Sequence, residues 1–550
     1  MMNALWRAGA VTGALLLLTL LSCGEGEVAS TIVVDSTADT DNRDGVVTLR
    51  EAILLASGEL AVAELDAGEA DNVSKQPGAE SSDTIIFDPS VFPASDGDTI
   101  SLTAPLPALS TGLDSIDGSQ ASVTIDGVKQ TVECIVISSN DNAVKGLSIK
   151  NCLVGVTIQP GAQGNEIGGA GPGEGNVISA NDQGVLIGAA GANGNVVKGN
   201  YVGTDAAGTA ALGNRLGIVI DRGAEGNVVG GSSPEERNII SSNSGVGVVI
   251  NGSRNVVKGN YIGTDVTGTV SLANRMEGIW LPAGAENNII GGPSPGDRNL
   301  LSGNDLFGVS MSGEGTRGNV VIGNYIGVDA TGTAPLKNLV GVVIDRGAQG
   351  NTIGGTGAGE GNLISANNDA GVLIRGLNAS SNAVLGNQIG VDATGSQLLG
   401  NGNGVLVLES AQGNTIGGPA ADEANVIVGS VAFGVLIEGS ETVGNTVRGN
   451  SIFSNRIEAI KNKDGGNAEL APPTIDSVGP VEGSACPNCT VDIYSDSGAE
   501  GQVYEGSVVA DADGRFSFAA SVSGPNITAT ATDASGNTSA FSQPARAPIE

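Results

Sequence analysis

Four aspartates, Asp205, Asp265, Asp329 and Asp392, are the residues whose type and spacing most readily suggest chemistry. Each lies in a G-T-D-x-x-G-T segment, with G-V-D in the third and fourth copies, and each is followed nine residues later by an asparagine (Asn214, Asn274, Asn338, Asn401). A regular acidic row can bind cations, calcium being the one cofactor this implies, or a sugar polymer through them. The same aspartates can instead accept backbone N–H bonds inside their own loops as Asx-turns. Two further acid–base pairs, Asp221-Arg222 and Asp345-Arg346, occupy equivalent I-D-R-G segments and read as corner salt bridges. A third acidic stretch, Asp39 to Gly45, has the cadence of a calcium loop but places Thr40 where the first carboxylate belongs, so it reads as a solvated acidic turn. No residue of the chain is histidine, which removes any His base, His metal ligand or Ser-His-Asp site.

Cysteine supplies the remaining chemistry. Cys134 and Cys152 lie close together in the chain, and Cys486 and Cys489 form a C-x-x-C. In an exported chain these predict two local disulfides, with buried free thiols the alternative for the first pair. The C-x-x-C lacks the β-α-β setting of a redox motif and nearby ligands for zinc. Cys23 stands apart, at the end of an apolar run.

The elements that position these residues repeat. Asn195 to Asn214 recurs from Asn255, Asn319 and Asn382, and in shortened form from Asn445. The steps between starts are nearly equal, and such a period is the mark of stacked units. Each unit divides into three sub-patterns, giving coils of roughly 21 residues built from short strands of period-two alternation, with Asn or Gly at the corners. These features resemble the right-handed parallel β-helix. On that reading about 16 coils make a rod of roughly 75 to 80 Å, and successive aspartates lie three coils, or roughly 14 Å, apart, too far to share one ion. Val219, Val249, Val343 and Leu373 are expected to stack inward. Asn200, Asn260, Asn324, Asn387 and Asn450, each five residues after its unit's first Asn, are expected to form an amide ladder. The fold class is therefore all-β: a parallel β-helix solenoid over 120–465, followed after Pro472-Pro473 by a small antiparallel β-sandwich over 474–550.

The ends carry further resemblances. Residues 1–22 combine Arg7 with an apolar run from Ala8 to Leu21, a secretory signal, and Leu20-Leu21-Ser22-Cys23 resembles the bacterial lipobox. That resemblance implies cleavage before Cys23 and a lipid on its thiol. Residues 23–119 read as a non-repetitive cap with a helix over Val46 to Ala56, Thr48 as N-cap and Glu51 at its third position. Asp44-Gly45 and Leu49-Arg50-Glu51-Ala52-Ile53 resemble the Cys-Ser-Leu-Arg-Glu-Ala segment that opens many secreted bacterial β-helix proteins, with Val47-Thr48 in place of Cys-Ser. The tail A-T-D-A-S-G-N-T-S-A-F-S resembles bacterial immunoglobulin-like modules.

A balance of 25 basic to 59 acidic residues, net charge -34, repels phosphate backbones and argues against a nucleic-acid partner. The fold is shared by pectate lyases, tailspikes, adhesins and accessory proteins, so it does not settle function. The regularity of the copies favours a lipid-anchored, exported, monomeric protein with a structural, adhesive or glycan-binding role at the outer membrane or cell surface. Its partners would be the membrane and a polysaccharide or another surface protein, with no catalytic residue. The alternative is a polysaccharide lyase or glycoside hydrolase. A groove with converging carboxylates and Arg or Lys would mark the enzyme, and a smooth repeated face would mark the binder.

Overall fold

A computed structural model describes residues 29–78, 81–95, 97–128 and 131–546. The signal segment and Cys23 lie outside the described residues. Three long parallel sheets dominate: one of 14 strands from Ser30–Val34 to Thr446–Val447, one of 13 from Asp98–Ser101 to Ser451–Phe453, and one of 12 from Glu133–Ile137 to Glu458–Lys463. From Ser115–Asp117 onward consecutive strands of the chain fall in different sheets, so the backbone winds through all three before returning one layer up. The architecture is a parallel β-helix.

The layer count differs from the one the sub-patterns suggest. Val197, Val229, Val257, Ile290, Val321, Ile353, Val384 and Ile416 form one inward column, each paired with the next. The columns therefore advance twice, not three times, within each unit of the repeat, and one unit is two coils. Each unit carries six strands, as at Val196–Lys198, Tyr201–Val202, Leu216–Ile220, Val228–Gly230, Ile239–Ile240 and Val248–Ile250. Alternate coils differ because only every other one carries the G-T-D loop between its second and third sheets. Fourteen layers at about 4.8 Å give a rod of about 62 Å, shorter than the coil estimate from sub-patterns.

Inside, Val and Ile from the three sheets are fully buried and merge into one core along the rod. Each such side chain contributes roughly 1.5 to 3 kcal/mol. In the third sheet the alternation differs from expectation: Ile218, Val248, Val342 and Val372 point inward, whereas Val219, Val249, Val343 and Leu373 form apolar clusters on the outer face.

Corners are held by asparagine. Three amide ladders run along the rod, from Asn142 to Asn467, from Asn176 to Asn450 and from Asn181 to Asn401. At each step but the last of the first ladder, where only the Asn445 N–H reaches Asn467 Oδ1, an Asn Nδ2 donates to the Oδ1 of the Asn one coil on, as in Asn260 to Asn299 at 3.1 Å. The same Oδ1 commonly takes the backbone N–H as well (Asn260 N to Asn299 Oδ1, 3.0 Å). Asn200, Asn260, Asn324, Asn387 and Asn450 all lie in the second ladder, alternating with Asn238, Asn299, Asn362 and Asn425. The buried amides are thereby satisfied without water, which a corner enclosed between two sheets requires.

Strands from the region read as a non-repetitive cap over 23–119 continue the stack. Ser30–Val34, Asp83–Phe87 and Ser115–Asp117 pair in parallel as the first layers of the first sheet. The helix Leu49–Ala56 begins at Thr48, which caps the backbone N–H of Glu51, while Glu51 Oε2 accepts the Thr48 N–H at 2.9 Å. Its Leu49, Ile53 and Leu55 join the central core and cover the first layer. Cys134 and Cys152 are joined near this end, with Cα atoms 5.8 Å apart.

At the other end, Thr474–Val478, Val481–Ser484 and Arg515–Phe518 form one antiparallel sheet, and four strands centred on Thr490–Asp496 form another. They share a small core of Val481, Val491, Ile493, Phe516 and Ile527. Cys486 is joined to Cys489 at its edge. This sandwich docks on the last coils: Arg448 donates to both carboxylate oxygens of Asp492 (2.7 and 2.6 Å), Tyr494 Oη accepts the Gly449 N–H (2.9 Å), and Ile452 pairs with Gly501.

Candidate functional site

The four loop aspartates do not form an outward acidic face. Asp205 Oδ1 accepts the N–H groups of Thr209 and Ala210 at 2.8 and 2.9 Å, and the other three repeat the pattern with residues four and five positions on. In the last three loops a hydroxyl (Thr267, Thr331, Thr394) also donates to the carboxylate. Backbone donors, chiefly the N–H of Ala210, hold Asp205 below the ordinary carboxylate range, and that of Gln397 does the same for Asp392. The loops also touch across the intervening coil: Gly208 O accepts the Val266 N–H, Gly268 O that of Ala330, and Gly332 O that of Ala393, each at 2.9 Å. Asn214, Asn274, Asn338 and Asn401 are not partners of these carboxylates; they are buried in the third ladder.

The acidic turn near the N-terminus is likewise occupied by protein groups. Arg50 pairs with Asp39 at 2.8 Å, and Arg43 pairs with Asp41, Glu51 and Glu69. Among the described residues no three His, Cys, Asp or Glu side chains gather as metal ligands.

The two Asp-Arg pairs part company. Asp221 accepts only its neighbour's backbone N–H (2.7 Å) and the Arg222 guanidinium reaches the carbonyl of Ala283 (3.0 Å), so no corner salt bridge forms there. Asp345, by contrast, is held through one oxygen by Arg375 at 3.5 Å and Arg346 at 3.8 Å. Its other oxygen, Oδ1, is buried with no hydrogen-bond partner.

That unpartnered oxygen belongs to the most irregular place on the outer face of the third sheet. A column running Leu186, Val219, Val249, Trp280, Ser310, Val343 and Leu373 points outward along the rod. It is aliphatic except at Trp280 and Ser310. Two hollows adjoin there. One, of about 470 Å³, is lined by Leu186, Val219, Val249 and Asp221 among others. The second, of about 400 Å³, is lined by Glu277, Phe307, Ser310, Asp345, Arg346 and Arg375 among others. Met276 and Trp280 line both, so the two form one trough.

Glu277 is 8% exposed, and its Oε2 is buried without a partner. Burial pushes its carboxyl above the usual range, the charge of Asp345 pushes in the same direction, and Arg346 partly opposes both. The other aromatic candidates of the body are less available: Arg237 stacks 4.0 Å over Tyr261 and Arg298 stacks 3.9 Å over Tyr325. A larger hollow of about 640 Å³, beside Tyr325, is lined mainly by Gly, Ala, Ser and Pro and brings no opposed carboxylates together.

Glu277 carries a signal in the sequence that a reading of the period passes over. Gly217, Gly247, Gly278 and Gly308 recur where a Cβ would collide with the next coil; at Gly278 it would lie 2.8 Å from Gly308 O. The residue before this glycine is Leu216, Val246, Phe307 and Val340 in neighbouring coils, and Glu277 here. In the equivalent coils one unit away the ladder Asn precedes the glycine by three residues (Asn214 to Gly217, Asn338 to Gly341), but Asn274 precedes Gly278 by four. A residue extra to the coils one unit away, an acid where the neighbouring coils carry Leu, Val and Phe, and a Trp in an aliphatic column thus coincide.

No family model matches the chain and no curated protein matches it. Among solved structures, the periplasmic alginate epimerase AlgG is similar over 70% of this chain and 76% of its own, at 12% identity and TM-score 0.33. An alginate lyase from Paenibacillus sp. str. FPU-7 is similar over 79% and 98%, at 14% identity and TM-score 0.23. Full-length tailspike protein 2 of the Escherichia coli O157:H7 bacteriophage CAB120 is similar over 85% and 65%, at 11% identity and TM-score 0.24. Scores this low carry no argument, and the class rests on the chain's own three parallel sheets: a parallel β-helix with a C-terminal antiparallel sandwich.

Proposed function

We propose that this is an exported β-helix protein, anchored at the cell envelope through a lipid on Cys23, that binds a polysaccharide along the outer face of its third sheet. The observation that carries the reading is the trough in which Met276 and Trp280 join two hollows. An elongated depression crossing several coils suits a chain of sugars, and an indole in its lining offers the stacking surface that sugar rings use. Arginine and carboxylate groups beside it supply the hydrogen-bonding partners that hydroxyls need. With net charge -34 the protein repels polyanions, so the ligand is a neutral polysaccharide. The acidic loops, whose carboxylates are engaged by their own backbone, are structural in this reading, and calcium has no part in it.

The test is binding of the full chain to immobilised dextran, xylan, mannan and β-1,3-glucan, with alginate and polygalacturonate as anionic controls. Trp280→Ala is expected to weaken binding to the neutral ligand at least tenfold. Cys23→Ser is expected to move the protein from the membrane to the soluble fraction with its binding intact. Equal binding by Trp280→Ala, or binding confined to the anionic polymers, would refute the groove; membrane retention of Cys23→Ser would refute the anchor.

A further inference from the structure

The groove holds more than recognition requires. Two carboxylic side chains line the Trp280 hollow, both more than nine-tenths buried, each with an oxygen that meets no protein donor: Oε2 of Glu277 and Oδ1 of Asp345. A buried polar atom left without a partner carries a cost in a folded protein, and here two such atoms belong to side chains that line one hollow. Glu277 departs from the repeat, since Leu216 and Val340 stand at its place in the equivalent coils one unit away, whereas Asp345 recurs as Asp221 and is set apart by pairing in register with Ser312 on one side and Arg375 on the other.

The surroundings divide the two acids by role. Asp345 forms ion pairs with two guanidinium groups, Arg375 and Arg346. Glu277 has no ion pair among the described residues and lies between Met276, Trp280 and Phe307, where the neutral acid is the better-solvated form. A carboxyl whose burial favours the neutral acid, beside one paired with two guanidinium groups, is the arrangement that acid–base cleavage of an acetal needs.

We propose that this hollow is a hydrolytic site for the neutral polysaccharide bound in the groove, with Glu277 as general acid and Asp345 as general base. The inference rests on the binding reading above. Glu277 gives its proton to the glycosidic oxygen as the bond from that oxygen to the anomeric carbon breaks, and the bonding pair leaves with the oxygen as a new hydroxyl. A water molecule forms the new bond to the anomeric carbon and passes a proton to the Asp345 carboxylate. Asp345 then releases that proton to solvent and Glu277 takes one up, so one water is consumed per bond and no metal, oxidant or cofactor enters. Arg346 and Arg375 are positioning residues in this scheme: they hold Asp345 toward the hollow.

The experiment uses the full chain, the neutral polysaccharide that it binds, and two readouts: new reducing ends and dissociation constant. Wild type is expected to release reducing ends. Glu277→Gln, nearly isosteric, is expected to lose turnover about a thousandfold with its dissociation constant changed less than threefold. Asp345→Asn is expected to lose at least a hundredfold, and products made in ¹⁸O-water should carry the label at the new reducing end. Binding without turnover in wild type would overturn this inference and leave the groove standing. Turnover undiminished in Glu277→Gln, or an unsaturated product absorbing in the ultraviolet, would overturn the assignment of Glu277 or of hydrolysis. Absence of binding to any neutral glycan would overturn the binding reading itself.

Discussion

The G-T-D loops and the Trp280 hollow are both acidic, both on the outside of the same rod, and opposite in how their carboxylates are satisfied. In the loops every aspartate meets two backbone N–H groups of its own turn, and the turn closes around it. In the hollow Glu277 and Asp345 each keep a buried oxygen with nothing to accept. An acid that recurs with the period serves what recurs with the period, namely closing a turn. Glu277, an acid that interrupts the period, has no such duty. In a repeat protein the departures from the repeat are therefore where chemistry is to be sought, because regular positions are already committed to stacking.

The largest expected effect sharpens this contrast at the head of the first ladder. There Asp114 stands where later coils have asparagine: its N–H donates to Asn142 Oδ1 (3.1 Å) and its Oδ2 accepts from Thr111 (2.8 Å). Burial, helped by the charge of Asp83, raises its pKa from 3.8 to about 7. Between those values the folded chain keeps a proton that the unfolded chain has released, so stability falls as pH rises through that window. Asp114→Asn removes the ionisable group and extends the ladder. It should be neutral at pH 4 and stabilising by up to about 4 kcal/mol at pH 8, read from denaturant midpoints. The same gain at both pH values would show that ionisation is not what limits that rung.

Asn260→Ala comes next. It strands the donors of Asn238 and the carbonyl of Val229 in a dry corner, and about 2 to 3 kcal/mol should be lost in chemical denaturation. A loss below about 0.5 kcal/mol would mean the ladder is ornament and the columns of Val and Ile carry the corner alone. The smallest effect is expected from Asp329→Ala, about 1 kcal/mol for one loop, with polysaccharide binding unchanged. A drop in binding in that variant would break the comparison, since it would give the periodic acids a ligand after all.

Much of the fold is legible in the chain. The period announces stacking, the Val and Ile alternation announces strands, and the capping pair Thr48 and Glu51 announces its helix. The asparagines five residues into each unit are recognisable as a ladder because an amide is the side chain that can donate and accept along a stack. The coil length is not legible from sub-patterns, since a strand, a corner and a long loop each leave a similar Gly- and Asn-rich trace. Only the pairing of Val197 with Val229 and of Val229 with Val257 shows that two turns share one unit. Which face Val219 and Val343 occupy is hidden for a related reason: both faces of the third sheet are apolar, so alternation alone cannot orient it. The hollow is half legible. Trp280 and the extra residue before Gly278 are plain in the sequence, but the approach of Asp345 from two coils away is a product of winding that spacing along the chain does not reveal.

The seating of the C-terminal sandwich on the final coils bears on the size of the particle. Every layer of the rod is a pattern on which a further identical layer could grow, so a bare terminus would accept the exposed terminus of a second molecule and then a third. Ile452 pairs there with Gly501, and Arg448 is held by Asp492, both from within the same chain. The sandwich thus covers part of the surface on which a further coil would stack.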